Sequence, residues 1–242
     1  MTVLPDWLTR GYLRLIEPVA EWLVRREVQP NTITTIGTIC SVAGGVIYGT
    51  GHIRTAGWFL GLTALFDVLD GMVARRTNRS STFGAFYDST LDRIADGCVL
   101  GGVAVFFATW HSRVGTAMMV VCLAGMIGTF VTSYTRARAE ALGIDAKVGL
   151  LQRPERVVLL SAPQAFFGLA LGGLVLMAII VLLTLTAWIT AVQRISTVRR
   201  SARREHMERA RAAGEASNPG RLIGDVPAPR PIVTGDSSRA GV

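Results

Sequence analysis

Four aspartates stand at regular intervals in one otherwise apolar stretch of this 242-residue chain: Asp67, Asp70, Asp88 and Asp92. The segment reads DVLDGMVARRTNRSSTFGAFYDSTLD. A carboxylate at membrane depth is costly, so four near one another require a compensating charge. Divalent cations bound through oxygen ligands supply it most directly. The segment is therefore the expected centre of chemistry.

The spacing predicts how the acids meet. Two apolar spans, about 55–75 and 82–110, flank a loop centred near Arg79. Asp70 lies nine positions before that centre and Asp88 nine after; Asp67 lies twelve before and Asp92 thirteen after. On helical arms the pairs fall at matching depths, roughly 13 Å and roughly 18–20 Å from the apex. Spacings of i/i+3 and i/i+4 put both carboxylates of each arm on one face. The two spans are thus expected to be antiparallel neighbours whose four carboxylates converge within one hairpin. Gly71, Ala74 and Gly84 are small enough to admit a ligand or a neighbouring helix. Arg75 is placed to meet a phosphate. The competing explanation is an Asp–Arg network neutralised by Arg75 and Arg93, but four acids against two arginines leave net negative charge. Asp96, one turn beyond Asp92, is expected to pair with Arg93 and is not assigned to the site.

Composition supplies the setting. The chain is 50% hydrophobic, carries a formal net charge of +8 and has a positive mean hydropathy. That suits a membrane protein with basic loops better than a water-soluble globule, and no nucleic-acid partner is expected. Arginine carries nearly all the positive charge, since Lys147 is the sole lysine. Cys40, Cys98 and Cys122 lie far apart in apolar stretches, which indicates packing rather than metal binding. The N-terminus opens with Pro5, Asp6 and further charged residues, unlike a cleavable signal peptide.

The expected fold is all-α and polytopic: six transmembrane helices preceded by an interfacial amphipathic helix. Residues 5–26 place Leu8, Leu15, Val19, Trp22 and Leu23 on one side, opposite Arg10, Arg14, Glu17, Glu21 and Arg25. Pro30-Asn31-Thr32 offers a turn before the first span, 33–51. A fourth span covers 114–134. Residues 157–192 carry no charge, too long for one span of about 20 residues and suited to two, with a turn at Gly168–Gly173. Three regions follow: a juxtamembrane helix over 1–30, a six-helix domain over 31–198, and a basic, largely disordered tail over 199–242. Arginines cluster at 25–26, 75–79, 136–156 and 194–204, whereas the alternate loops hold only Arg54 and Arg113 as fixed charges. Both termini and the aspartates should therefore face the cytoplasm.

The pattern Asp67-x2-Asp70-Gly71-x2-Ala74-Arg75-x8-Gly84-x3-Asp88-x3-Asp92 resembles the full signature of the CDP-alcohol phosphatidyltransferases. The resemblance covers most of residues 5–198. It implies transfer of a phosphatidyl group from a CDP-linked lipid to an alcohol, with release of CMP, at the bacterial cytoplasmic (inner) membrane. It implies that Asp67, Asp70, Asp88 and Asp92 bind two Mg²⁺ or Mn²⁺ ions. Asp67, Gly71, Ala74, Arg75 and Gly84 would contact the CDP group, and Asp92 would take the proton of the attacking hydroxyl. That last assignment rests on the resemblance, because spacing alone does not choose among the acids. The family commonly forms homodimers, so a homodimer is expected.

The acceptor is read from the remaining basic segments. SYTRARAEALG, QRPERVV and VQRIS resemble those of actinobacterial phosphatidylinositol-phosphate synthases, a subfamily using CDP-diacylglycerol and inositol 1-phosphate. By that resemblance Arg136, Arg156 and Arg194 hold the acceptor phosphate, with Arg153 as a further candidate. Glu140 and Glu155 are candidate partners for these arginines. The subfamily has lysine where this chain has Arg136, and a planar fork does not bind as a point charge does. A related phosphorylated polyol stays open, as does glycerol 3-phosphate, although no Gly-Lys-x-Lys-Thr segment is present. Intramembrane prenyltransferases carry differently spaced aspartate motifs. An ion or metal transporter would use intramembrane acids along a path. Here the acids gather toward one face, and spans one, four, five and six hold none.

Overall fold

A computed structural model describes residues 6–79, 81–151 and 153–216 of the chain. Among them are seven α-helices and no strand: α1 (Asp6–Arg25), α2 (Pro30–Gly49), α3 (Ile53–Arg76), α4 (Thr82–Ala108), α5 (Arg113–Ala141), α6 (Arg153–Phe167) and α7 (Leu174–Ala216). Two compact units result, Met1–Val198 and Arg199–Val242. In the second, the described residues are helical to Ala216 and include an Arg209–Glu205 ion pair. The expected disorder at the end of the tail falls on residues 217–242, outside the described residues.

Local chemistry sets the helix ends. Pro30 opens α2, where its missing N–H costs nothing. Ser81 and Ser112 cap α4 and α5 by accepting from the Gly84 and Gly115 amides, each at 3.0 Å. The α6–α7 turn lies where the glycines placed it: Gly168, Gly172 and Gly173 have φ of 57°, 64° and 81°.

Four segments are long and apolar enough to cross a membrane: Pro30–Gly49, Ile53–Arg76, Arg113–Ala141 and Ala170–Arg209. The protein is a multi-pass membrane protein. α4 is 27 residues long but carries Asp88, Asp92, Arg93 and Asp96, while α6 has only 15 residues. Apolar side chains such as Ile39, Val46, Val105, Val120, Ile127 and Leu182 point outward, as lipid-facing residues do.

Glycine contacts bring the helices together, as expected where lipid supplies no hydrophobic drive between them. A Cβ on Gly102 would lie 1.9 Å from the Gly45 carbonyl oxygen, and one on Gly45 would lie 2.4 Å from that of Cys98. α2 and α4 therefore touch backbone to backbone. Gly57 does the same for α3 against Ala165 of α6. Thr184 and Trp188 of α7 bond to the Val121 and Ala124 carbonyls of α5, beside Gly125 and Gly128. Cys122 is buried and Cys40 and Cys98 are partly buried, all as free thiols.

Two expectations are corrected. α3 and α4 are not packed neighbours: α2 packs closely against both, and α3 packs against α6. The loop between α3 and α4 is long enough to admit another helix, which spacing alone does not reveal. α5 continues to Ala141, so Arg136 and Arg138 lie on a helix rather than in a loop. The run RARAEA favours helix, and Arg136 pairs with Glu140 one turn on at 2.9 Å. On α1, Ala20, Leu23 and Val24 pack toward Ile33, Leu69 and Val73 and Ile16 is buried, while Val19 and Trp22 are exposed. The side chains of Leu8, Arg10, Arg14 and Leu15 lie outside the described residues.

Candidate functional site

α3 presents Asp67 and Asp70, and α4 presents Asp88 and Asp92, all partly buried. Asp88 is within electrostatic reach of Asp67, Asp70 and Asp92. The four acids are thus coupled through Asp88, on two helices joined by α2 rather than by direct α3–α4 packing. α2 also joins the site chemically: Thr34 donates to Asp70 Oδ2 at 2.8 Å. Thr35 shares a 2.9 Å hydrogen bond with the Tyr87 hydroxyl of α4.

α6 sends the principal cation inward. Arg153 ion-pairs through Nη1 with Asp67 Oδ2 and through Nη2 with Asp92 Oδ1, the latter at 2.9 Å. It therefore bridges α3 and α4. Arg153, a candidate for the acceptor phosphate, lies on the aspartates in the ligand-free site. Arg93 approaches Asp92 at 3.5 Å and Asp96 at 3.6 Å and donates to Ser133 Oγ of α5. Arg156 approaches Asp96 at 3.6 Å and donates to Thr129 Oγ1 at 3.2 Å.

The other predicted residues lie around this centre. Arg194 donates to the Val148 and Thr132 carbonyls at 2.9 and 2.5 Å. Arg136 is exposed and engaged with Glu140. Arg75 is exposed, and a Cβ on Gly71 would meet its Nη1 at 3.1 Å, so the bare glycine gives the guanidinium room to lie over the helix. Ala74 is partly buried on the same helix. Gly84 lies at the capped start of α4, near Ser81 and Asn31. A cavity of about 40 Å³ has Asp96, Thr129, Arg153, Arg156 and Thr184 in its lining. Sequence reasoning missed Thr34, Thr129 and Ser133. Hydroxyl residues are common in apolar helices, and the partners of these three lie 36, 27 and 40 positions away.

This arrangement gathers the complete aspartate signature at one site, and the family model for CDP-alcohol phosphatidyltransferases matches residues 27–200. The chain belongs to the CDP-alcohol phosphatidyltransferase family. It is a transferase. The phosphatidylinositol phosphate synthase of Streptomyces avermitilis is 39% identical over 199 residues, covering 78% of this chain and 80% of that protein. That of Cutibacterium acnes is 38% identical over 200 residues, covering 79% and 95%. Among solved structures, Mycobacterium tuberculosis phosphatidylinositol phosphate synthase with CDP-DAG bound superposes with a TM-score of 0.68 at 32% identity, covering 76% of this chain and 94% of that one. The same enzyme in complex with manganese and citrate gives 0.66 at 33% identity, covering 75% and 87%.

The residues fit a divalent cation by donor chemistry. Four carboxylates on two helices offer hard oxygen ligands. A guanidinium already stands between Asp67 and Asp92, so both carboxylates accept positive charge from a common side. As the side chains stand, no three acidic, histidine or cysteine residues among the described residues enclose an ion.

Proposed function

We propose that this transferase moves the phosphatidyl group of CDP-diacylglycerol to inositol 1-phosphate, releasing CMP and forming phosphatidylinositol phosphate. The observation that carries the reading is the pairing of two charge clusters: the signature acids on α3 and α4, and Arg153 and Arg156 entering beside them from α6. A nucleotide-activated lipid requires the first cluster, and a phosphorylated acceptor requires the second. The likeness to phosphatidylinositol phosphate synthases supports the same acceptor.

Asp67, Asp70, Asp88 and Asp92 would hold Mg²⁺ or Mn²⁺, two ions per site by the family resemblance. The bound metal would neutralise charge on the pyrophosphate. Arg75, Gly71, Ala74 and Gly84 form the side of the site that receives the CDP group, where small residues let it approach the helix backbone. Thr34 fixes the orientation of Asp70 by its hydrogen bond. Arg156 and Arg194 bind the acceptor phosphate, with Arg136 at the exposed entrance. With a cation held by the signature acids, Arg153 would be free to join Arg156 and Arg194 at the acceptor phosphate. Asp92 takes the proton from the acceptor hydroxyl, whose oxygen bonds to the lipid-side phosphorus. The bond from that phosphorus to the bridging oxygen breaks, and CMP departs with the electron pair.

In this reading α2 to α7 form six spans in the bacterial cytoplasmic membrane, α1 lies at the interface, and the site opens to the cytoplasm. The basic ends of α1, α3, α5 and α6 support that orientation. A homodimer is part of the same proposal.

The test is CMP release by purified protein with CDP-diacylglycerol and Mg²⁺, comparing inositol 1-phosphate, inositol and glycerol 3-phosphate. Release with inositol 1-phosphate alone is expected. Release with glycerol 3-phosphate or free inositol in its place would keep the transfer reaction and overturn the acceptor.

A further inference from the structure

Asp96 lies outside the signature, yet it stands between two of the site's arginines. It follows Asp92 by four positions on α4 and so shares its helix face. Its carboxylate is 15% exposed. Arg93 Nη2 and Arg156 Nη2 both approach the same oxygen, Oδ2, at 3.6 Å. That oxygen is buried without a hydrogen-bond partner, as are Nε of Arg93 and Nε of Arg156. The contact is therefore one of charge, not of hydrogen bonding. Arg93 and Arg156 are electrostatically coupled as like charges, and an anion between them offsets their repulsion. Each guanidinium then continues outward, Arg93 to Asp92 and Ser133, Arg156 to Thr129.

The result is an unbroken line, Asp92–Arg93–Asp96–Arg156, from the base assigned to the reaction to an arginine assigned to the acceptor. Asp96 also borders the cavity of about 40 Å³.

We infer that Asp96 is a positioning residue for the acceptor: by standing between Arg93 and Arg156 it keeps Arg156 turned toward the acceptor phosphate and away from the signature carboxylates. The inference rests on the acceptor reading above and adds a residue to it. With Asp96 neutral, Arg156 loses its anion on α4 and is drawn toward the remaining acids, while Arg93 pairs with Asp92 alone. Acceptor binding suffers, and the CDP-lipid side of the site, lined from α3 and the first turn of α4, does not.

The experiment is steady-state CMP release by full-length wild type, Asp96→Asn, Arg156→Ala and the double variant, varying inositol 1-phosphate and CDP-diacylglycerol in turn. Asp96→Asn is expected to raise the acceptor KM about tenfold, with the CDP-diacylglycerol KM within about twofold of wild type. Because Asp96 acts through Arg156, the double variant should be no worse than Arg156→Ala. Multiplying penalties, or an equal rise in both KM values, would overturn the inference while leaving the acceptor pocket in place. An Arg156→Ala enzyme with an unchanged acceptor KM would overturn the acceptor reading and, with it, the inference. If Asp96→Asn does not fold, Asp96→Glu keeps the charge, displaces the carboxylate and carries the same comparison.

Discussion

Replacing Arg153 with Gln removes the guanidinium that joins Asp67 to Asp92. At the 2.9 Å separation from Asp92, Coulomb's law with an effective dielectric near 20 gives a gross attraction of about 6 kcal/mol. Desolvation offsets much of it, and breaking one side of a buried pair costs about 3–5 kcal/mol net. The three side chains are 15–23% exposed, so the lower end applies, about 3 kcal/mol. For a protein of this size that corresponds to a Tm lower by about 6–12 °C. The loss belongs to the metal-free state. With metal bound, the carboxylates have another cation and Arg153 is released, so the variant should recover. Thermal unfolding in detergent, in EDTA and in saturating Mn²⁺, checks this for both proteins. The gap between them should fall to less than half when metal is present, and the variant should bind Mn²⁺ more tightly than wild type. An equal gap in both conditions would refute the reasoning, because Arg153 and the metal would then not share the same carboxylates.

Asp92→Asn should lower kcat by at least about 10²–10⁴-fold while CDP-diacylglycerol still binds, measured by CMP release and by ligand-induced stabilisation; retained turnover would remove Asp92 as the base. Thr34→Val deletes the hydrogen bond to Asp70 and should weaken Mn²⁺ binding about 10–100-fold, read by titration; unchanged affinity would separate Thr34 from the metal site. Gly102→Ala forces α2 and α4 apart and should cost about 1–3 kcal/mol with loss of activity. Gly101→Ala, whose added Cβ meets nothing within 4 Å, should leave both nearly unchanged. Similar behaviour of the two variants would show that the close α2–α4 contact does not hold the site.

Much of the site was legible because its information is local. Asp67, Asp70, Asp88 and Asp92 repeat at helical spacing inside apolar runs, and that periodicity alone gives each pair one face. Two helix boundaries followed from equally local signals: Pro30 at the start of α2 and the glycines of the α6–α7 turn. What spacing could not supply was which helix stands beside which. The hairpin geometry suggested that α3 and α4 pack together, whereas α2 takes the place between them because Gly45 and Gly102 permit backbone contact with α4. That placement brings Thr34 to Asp70. Likewise, a row of arginines after an apolar span reads as loop charge until the fold assigns each its anion. Only the tertiary structure put Arg153 on Asp67 and Asp92 and set Asp96 between Arg93 and Arg156. The sequence determined the chemistry because residue type and helical period are written along the chain. The pairing of charges was left to packing, because electrostatic partners are chosen by distance in space across 60 to 86 positions of sequence.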